Sequence, residues 1–124
     1  MPTLITILAV RDLARSRDFY DAVFAWPIAV EAPNYIEYAL PGGAAVGLYA
    51  REGYARNLGA SIEAPRSELA TTELYLRVPD AQATLDRLAA AGAAVFSPLR
   101  DRPWGERVAY GADPDLNVLG VAQA

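Results

Sequence analysis

Three residue types that carry much of enzyme chemistry are absent from this sequence. The 124 residues contain no cysteine and no histidine, and all 11 basic residues are arginine. The absence of cysteine excludes disulfides, thiolate catalysis and zinc–thiolate sites. The absence of histidine removes the commonest metal ligand and the commonest general base. Without lysine, Schiff-base chemistry is excluded as well.

The chain also lacks the features of a membrane or nucleic-acid partner. No apolar run approaches the ~20 residues of a membrane span, and the N-terminus has no basic segment with a cleavage site. The net charge of −4 disfavours nucleic acid, whose affinity comes mainly from neutralised phosphates. Composition is that of one globular domain, with 53% hydrophobic and 21% charged residues. We therefore expect a cytoplasmic protein with no membrane or nucleic-acid partner.

Residues 72–92 predict one strand that runs directly into one helix. Apolar and polar residues alternate over 73–78, which is the period of a strand with one buried face. Pro79 cannot continue a ladder, Asp80 is a favourable helix N-cap, and Gly92 stands where a left-handed C-cap is expected. The polar face of this strand carries Glu73, Tyr75 and Arg77.

The same design occurs near the N-terminus. Residues 4–24 again combine a strand, an aspartate cap and an amphipathic helix, and Asp12 is equivalent to Asp80 at an offset of 80 − 12 = 68 residues. A repeat of this length indicates a duplicated half-domain rather than a solenoid. The two helices are predicted at Leu13–Phe24 and Ala81–Ala91.

The remaining strands complete two βαβββ modules. A first strand is predicted at Thr3–Val10, and turn residues separate the others, which are Ile28–Glu31, Tyr35–Leu40, Ala45–Ala50, Ala94–Pro98, Glu106–Gly111 and Asn117–Val121. The fold class is α+β, with two curled mixed sheets around a central cleft and one helix per module on the convex side. Module one covers about 1–52, a linker about 53–70, and module two about 71–124. The irregular stretch 51–69 is a plain connector, a lid or a dimer arm carrying Tyr54 and Arg56.

Several short motifs stand out along the chain, namely Phe19-Tyr20, the caps Asp12 and Asp80, Pro103-Trp104-Gly105 and Asp113-Pro114-Asp115. These motifs resemble those of the vicinal oxygen chelate superfamily, which includes glyoxalase I, extradiol dioxygenases, fosfomycin-resistance enzymes and bleomycin-resistance proteins. The resemblance covers the whole chain and implies the two-module fold, while the activities of the superfamily differ widely.

The resemblance also implies where a divalent metal would be held. The ligand positions correspond to Ile5, Leu48, Glu73 and Gly120, so one carboxylate stands where at least three protein ligands are generally needed. A substitute set of Glu31, Glu37 and Glu73 is conceivable, but acidic residues on half-buried strands are more often a solvated face. We therefore predict no metal and no cofactor.

One turn departs from the family pattern. The fourth position of the stretch 113–117 is usually glycine, and here it is Leu116. A left-handed backbone at leucine costs about 1 kcal/mol or more. Either the turn type differs, or Leu116 is held out over the mouth of the cleft.

Aromatic and charged residues are expected to line the cleft, although each also has a plain explanation as a core cap or a surface pair. The candidate ligand-binding residues are Glu73, Tyr75, Arg77, Tyr35, Glu37, Leu48, Tyr49, Trp104, Arg107 and Tyr110. Glu73 is the ionisable group left among the four metal positions, and it pairs internally with Arg77 or Arg107, or with a ligand.

Three functions follow from this arrangement. The first is a metal-free homodimer that resembles bleomycin-resistance proteins and binds a small apolar or aromatic molecule. The second is a glyoxalase-like lyase, isomerase or dioxygenase, either metal-independent with Glu73 as general acid or base and Arg77 or Arg107 at an oxyanion, or with a non-standard metal site. The third is a paralogue whose pocket has closed and which serves protein interaction.

Overall fold

The computed structural model describes residues 4–58 and 72–124. The chain divides into two compact units, and of the described residues the first unit contains 4–21 and 25–58 while the second contains 22–24 and 72–124. Each unit is built around a four-stranded mixed sheet. None of the helices in the described ranges is long and apolar enough to cross a membrane.

The two units repeat one topology. In the first sheet the strand order is β1-β4-β3-β2, with β1 and β4 parallel and the other neighbours antiparallel. In the second sheet the order β5-β8-β7-β6 has the same pairing directions, which confirms the α+β class and the βαβββ modules. The elements are β1 Ile5–Val10, α1 Leu13–Val23, β2 Ile28–Ala32, β3 Tyr35–Ala39, β4 Ala45–Ala50, α2 Arg51–Leu58, β5 Glu73–Val78, α3 Ala81–Ala90, β6 Val95–Asp101, β7 Arg107–Ala112 and β8 Val118–Gln123.

One face of each sheet is buried against a helix. In the first sheet, the Tyr38 hydroxyl donates to Asp21 Oδ1 of α1 at 2.9 Å, so the buried residues that share its side face this helix. In the second sheet, a Cβ at Gly111 would lie 3.6 Å from Leu88 of α3, and the buried Leu74 and Leu119 are in register on this same side. The opposite sides, away from α1 and α3, are called here the first and second open faces.

Both strand-to-helix connections use the predicted aspartate caps. Asp12 Oδ1 accepts from the Arg15 amide at 3.1 Å, and Asp80 Oδ1 accepts from the Ala83 amide at 3.1 Å. Each carboxylate thereby satisfies an amide that the first helical turn leaves without a backbone partner. The sequence repeat is therefore also a repeat of local hydrogen bonding.

The outer strand pair of each sheet contains an irregularity. The register between β2 and β3 shifts at Ala29, and the register between β6 and β7 shifts at Phe96 and again before Arg100. Such β-bulges leave one residue unpaired and bend the strand. β6 also continues through Pro98, which an edge strand tolerates because its amide side need not pair.

The main correction to the predicted elements lies after β4. Residues Arg51–Leu58, expected to be irregular, form helix α2. Gly53 weakens the helical pattern of this stretch in the sequence. A Cβ there would come within 2.8 Å of the Tyr49 ring, so glycine allows α2 to approach β4 closely. The rest of the predicted linker, up to about residue 70, lies within the stretch 59–71, which is outside the described residues, as is Thr3 of the predicted first strand.

In the turn before β8, which the sequence left open between two alternatives, Leu116 adopts the left-handed backbone. Leu116 has φ 65° and its side chain is 64% exposed. Asp113 enforces this turn, since its Oδ1 accepts from the amides of Asp115 and Asn117 at 2.9 Å and its Oδ2 accepts from Asn117 Nδ2 at 2.8 Å. The backbone cost at Leu116 is offset by this hydrogen-bonded aspartate.

Candidate functional site

A glycine occupies the centre of each open face. Gly47 of β4 pairs with Ile7 and Glu37, and Gly120 of β8 pairs with Tyr75 and Tyr110. The two glycines are structural equivalents, because each lies on the strand between the parallel and the antiparallel neighbour. Their missing side chains let larger groups lie flat against the sheet.

On the second open face, Arg77 and Tyr75 both bind Glu106, the residue just before β7, and Trp104 joins them through Tyr75. Arg77 donates from Nε to Glu106 Oε2 at 2.9 Å and from Nη2 to Oε1 at 3.1 Å. The Tyr75 hydroxyl donates to Glu106 Oε1 at 3.0 Å, and Trp104 Nε1 donates to the Tyr75 hydroxyl oxygen at 3.0 Å. The hydrogen bond from Arg77 lowers the pKa of Glu106, so this carboxylate is held ionised. The cluster fixes the Tyr75 and Trp104 rings.

Glu73 lies on the same face but is not part of this cluster. Its Oε2 lies 2.7 Å from where a Cβ on Gly120 would be, and the same point is 3.2 Å from the rings of Tyr75 and Tyr110. The two arginines considered as its partners are engaged elsewhere: Arg77 with Glu106, and Arg107 with Asp101 at 3.5 Å. Within residues 4–58 and 72–124, no ion pair is formed by Glu73.

Tyr110 closes this face on the β7 side. Burial raises the pKa of Tyr110, and the neighbouring Glu73 carboxylate raises it further. The Arg102 guanidinium lies over the ring at 5.0 Å and donates to the Val108 carbonyl at 2.7 Å and to Ser97 Oγ at 2.8 Å. Arg102 therefore links β6 to β7 through hydrogen bonds and packs against the Tyr110 ring.

The first open face has a different arrangement. The Tyr35 ring covers Gly47, with its Cε1 atom 2.7 Å from the position of an added Cβ, and its hydroxyl donates to Glu37 Oε1 at 2.7 Å. Burial, and then the bond to Glu37, raise the pKa of Tyr35 to about 12. Tyr49 stacks edge-on between Tyr35 and Tyr54, with ring centroids 5.7 and 5.8 Å apart.

A small cavity lies beside Glu37 in the first unit. Its volume is about 230 Å³, and it is bounded by β2, β3, β4 and the turn that joins the last two strands. Glu37 is 9% exposed, so its carboxylate is nearly buried at the edge of this space. Most of the other lining side chains are alanines.

The structure places most of the predicted site residues on the open faces but separates them into two groups. The second face carries Glu73, Tyr75, Arg77 and Tyr110, with Trp104 hydrogen-bonded to it, and the first face carries Tyr35, Glu37 and Tyr49. Two assignments require correction. Leu48 is fully buried and alternates with Gly47, so it belongs to the α1 side of the first sheet. Arg107 shares the parity of Gly111, and therefore lies on the α3 side of the second sheet.

Sequence reasoning missed Glu106 as the residue around which the second face is organised. It precedes β7 in a turn, and its partners Tyr75 and Arg77 are 31 and 29 residues away in the sequence. The alternation of side chains along the strand could have identified it, since Glu106 stands two residues before Val108 and four before Tyr110, on the same face.

The residues present do not fit the divalent metal that the family resemblance implies. Of the implied positions Ile5, Leu48, Glu73 and Gly120, one offers a side-chain oxygen, and replacing Leu48 by its open-face neighbour Gly47 adds none. Glu31 and Glu37 of the substitute set are bonded to Arg17 and Tyr35, respectively. Across the described ranges, no three acidic side chains form a group that could hold a metal ion.

Comparison with known proteins agrees with this fold. The model of the glyoxalase-like domain family matches residues 3–124, and the chain belongs to this family. No curated protein matches the sequence at a significant level.

Solved structures show the same architecture. A glyoxalase-related enzyme from Fulvimarina pelagi is 24% identical with a TM-score of 0.84, and the match covers 100% of this chain and 88% of the enzyme's chain. A glyoxalase/bleomycin resistance protein/dioxygenase family enzyme from Burkholderia phytofirmans PsJN is 20% identical with a TM-score of 0.84, over 99% and 98% of the two chains. A lactoylglutathione lyase from Agrobacterium tumefaciens is 21% identical with a TM-score of 0.72, over 98% and 92%. At these identities the likeness concerns the fold.

Proposed function

We propose that this glyoxalase-like protein binds a small, planar organic molecule without a metal, and that the ligand lies on the second open face with a donor or positive group at Glu73. The observation that carries the proposal is the state of Glu73. Its carboxylate lies among the Gly120, Tyr75 and Tyr110 positions, and Arg77, the arginine on the same face of β5, is paired with Glu106. A ligand cation would form an ion pair with this carboxylate, and a ligand N–H group would donate a hydrogen bond to it.

The surrounding aromatic groups suit a flat ligand. Trp104 is 55% exposed although its indole N–H is fixed by Tyr75, so its ring is held in place at the surface. A large, ordered aromatic side chain with an exposed ring is a favourable stacking surface. Aromatic rings also attract cationic groups within about 6 Å of their centroids. Rings and carboxylate together favour a planar molecule with positive or N–H donor character.

The second candidate, a metal-independent enzyme with Glu73 as acid or base, is less well supported. A carboxylate acts as a general acid or base near neutral pH when its surroundings exclude water. Glu73 is exposed. Arg77, the proposed oxyanion group, already donates two hydrogen bonds to Glu106. These two observations favour binding over turnover.

A thermal-shift comparison of matched probes tests the binding proposal. Benzamidinium and benzamide have nearly the same shape and differ in charge, and a panel of planar aromatic amines with their neutral analogues extends the comparison. We expect the cationic members to raise the melting temperature more than the neutral ones. This difference should vanish in Glu73→Gln, since the carboxylate is the group that distinguishes the two probes.

Asp86→Asn is the matched control. Asp86 is an exposed carboxylate on α3, on the other side of the same sheet, and its replacement removes the same charge. The control should retain the selectivity for cations. Equal stabilisation by cationic and neutral probes, or equal loss in both variants, would contradict the role assigned to Glu73.

We propose further that the protein is a cytoplasmic homodimer. Two observations support self-association. Large apolar side chains are exposed at Ile5, Ile7, Val95 and Phe96, and within the described residues the outer strands of each sheet pair on one side. An isologous pair would cover such groups. Light scattering at micromolar concentration should give twice the mass of the chain, and a monomer would contradict this part of the proposal.

A further inference from the structure

The first unit contains a carboxylate, Glu37, that is much more deeply buried than Glu73. Glu37 is 9% exposed, and the partner that the structure gives it is the neutral hydroxyl of Tyr35, bonded to Oε1 at 2.7 Å. No ion pair within the described ranges involves Glu37. A nearly buried carboxylate is costly unless a positive group pairs with it.

The second carboxylate oxygen of Glu37 is not enclosed by protein. No buried side-chain oxygen or nitrogen in the described residues lacks a hydrogen-bond partner. Glu37 lines the cavity of about 230 Å³, so the carboxylate is accessible from that side. The carboxylate, fixed by Tyr35, therefore presents an acceptor to the cavity.

The rest of the cavity wall is apolar and consists of small residues and Leu40. Ala29, Ala39 and Ala45 contribute from three strands, and the turn after β3 closes the end. The bulge at Ala29 in β2 places this residue at the cavity edge. The volume is below the roughly 300–1,000 Å³ of sites for drug-sized ligands, so the occupant must be compact.

We propose that this cavity is a binding site for a compact organic cation, a primary ammonium, amidinium or guanidinium group on a short aliphatic body. The positive group would bond the free Glu37 oxygen, and the aliphatic part would contact the alanines. The observations behind this proposal all concern residues of the first unit, and the proposal does not rest on the planar-ligand function proposed for Glu73.

The test uses n-propylammonium and its neutral analogue 1-propanol. Both are titrated into ¹⁵N-labelled protein at pH 7, and the amide signals of Ala39, Gly43 and Ala44 are followed by NMR. We expect saturable shifts at these amides with n-propylammonium, and at least a tenfold weaker response to 1-propanol, because the alcohol lacks the charge that Glu37 requires.

Three variants separate the site from a general charge effect. Glu37→Gln should weaken n-propylammonium binding at least tenfold. Asp18→Asn, which removes an exposed carboxylate from α1, and Glu73→Gln should each change it less than twofold. If Glu37→Gln also disturbs the fold, Ala39→Leu keeps the carboxylate and fills the cavity, and it should abolish the shifts.

Three outcomes would overturn the proposal. The first is equal binding of the cation and the alcohol, which would make the cavity a non-specific apolar site. The second is unchanged binding in both Glu37→Gln and Ala39→Leu, which would place the cation elsewhere. The third is loss of binding in Glu73→Gln with retention in Glu37→Gln, which would assign the cation to the second open face.

Discussion

Gly47 and Gly120 occupy the same place in two sheets of the same topology, yet different groups lie over them. Gly47 is covered by the Tyr35 ring, which is itself bonded to the nearly buried Glu37. Gly120 faces the end of the flexible, exposed Glu73 side chain, with tyrosine rings slightly farther away. The two sheets share one backbone arrangement but differ in what contacts the glycine. An aromatic ring packs on Gly47, whereas a carboxylate lies beside Gly120.

The largest expected effect comes from adding a methyl group at each glycine. Gly47→Ala should lower the free energy of unfolding by about 2 kcal/mol, because the Tyr35 ring must leave its position and its bond to Glu37 is lost. Gly120→Ala should cost less than about 1 kcal/mol, since the Glu73 carboxylate can rotate into water. Urea denaturation of both variants measures the difference. Equal losses would show that the two faces are equally packed.

The next effect separates the two hydroxyl-to-carboxylate bonds. Tyr35→Phe should destabilise by about 1.5 kcal/mol, because it leaves Glu37 without its hydrogen bond in a nearly buried position. Tyr75→Phe should cost less, since Glu106 keeps both hydrogen bonds from Arg77. Denaturation at pH 7 gives both values, and a greater loss for Tyr75→Phe would reverse the assigned ranking.

The Tyr35 bond also predicts a pH dependence. The pKa of Tyr35 is raised from 10.0 to about 12 in the folded protein. Its contribution to stability is therefore complete below pH 10 and is lost as the pH rises through about 12. The stability difference between the natural protein and Tyr35→Phe should shrink over this window, and a difference that stays constant to pH 12 would contradict the shift.

The ends of α1 and α3 offer a third comparison. Ala25 after α1 has φ 53°, whereas Gly92 after α3 has φ 83°. Ala25→Gly should stabilise by about 0.5–1 kcal/mol, because glycine adopts this backbone without strain, and Gly92→Ala should destabilise by about 1 kcal/mol. Melting temperatures should move in opposite directions, and movement in the same direction would contradict this explanation.

The smallest effect concerns Glu106. Its pKa is lowered by Arg77, so the stabilisation is present above the ordinary pKa of 4.5 and is lost as the pH falls through the lowered value. Glu106→Gln should be less stable than the natural protein at pH 7, and the difference should disappear on acidification. Arg77→Gln is the matched variant, and it should show the same pH dependence.

The sequence predicted the fold and one face well, and the reasons lie in particular residues. Strand 73–78 alternates cleanly, so its polar face follows from periodicity. Strand 45–50 does not alternate, because Gly47 has no side chain and its neighbours Val46 and Leu48 are both apolar. Leu48 is placed at the cleft by the family resemblance, and this strand has no alternation that would show its side chain to lie on the other face.

Contacts that join distant parts of the chain could not be predicted in the same way. Glu106 bonds to Tyr75 and Arg77 across the sheet, and periodicity within one strand carries no information about such partners. Helix α2 was missed for a related reason, because Gly53 lowers helix propensity locally and is explained by the close approach to Tyr49. In α2, tertiary packing overrides the low helix propensity of Gly53, and at Glu106 the contacts depend on tertiary structure alone.

The bulges in the outer strands have a consequence for aggregation. An incoming strand needs a straight row of amides and carbonyls, which β2 and β6 interrupt at Ala29, Phe96 and Pro98. The opposite outer strands, β1 and β5, keep six residues in regular register. On β5, Glu73 and Arg77 act as charged gatekeepers, but β1 has Ile5 and Ala9 at the equivalent positions. In a partly unfolded chain, Ile5–Val10 is therefore the segment at which fibril-like strand addition would begin.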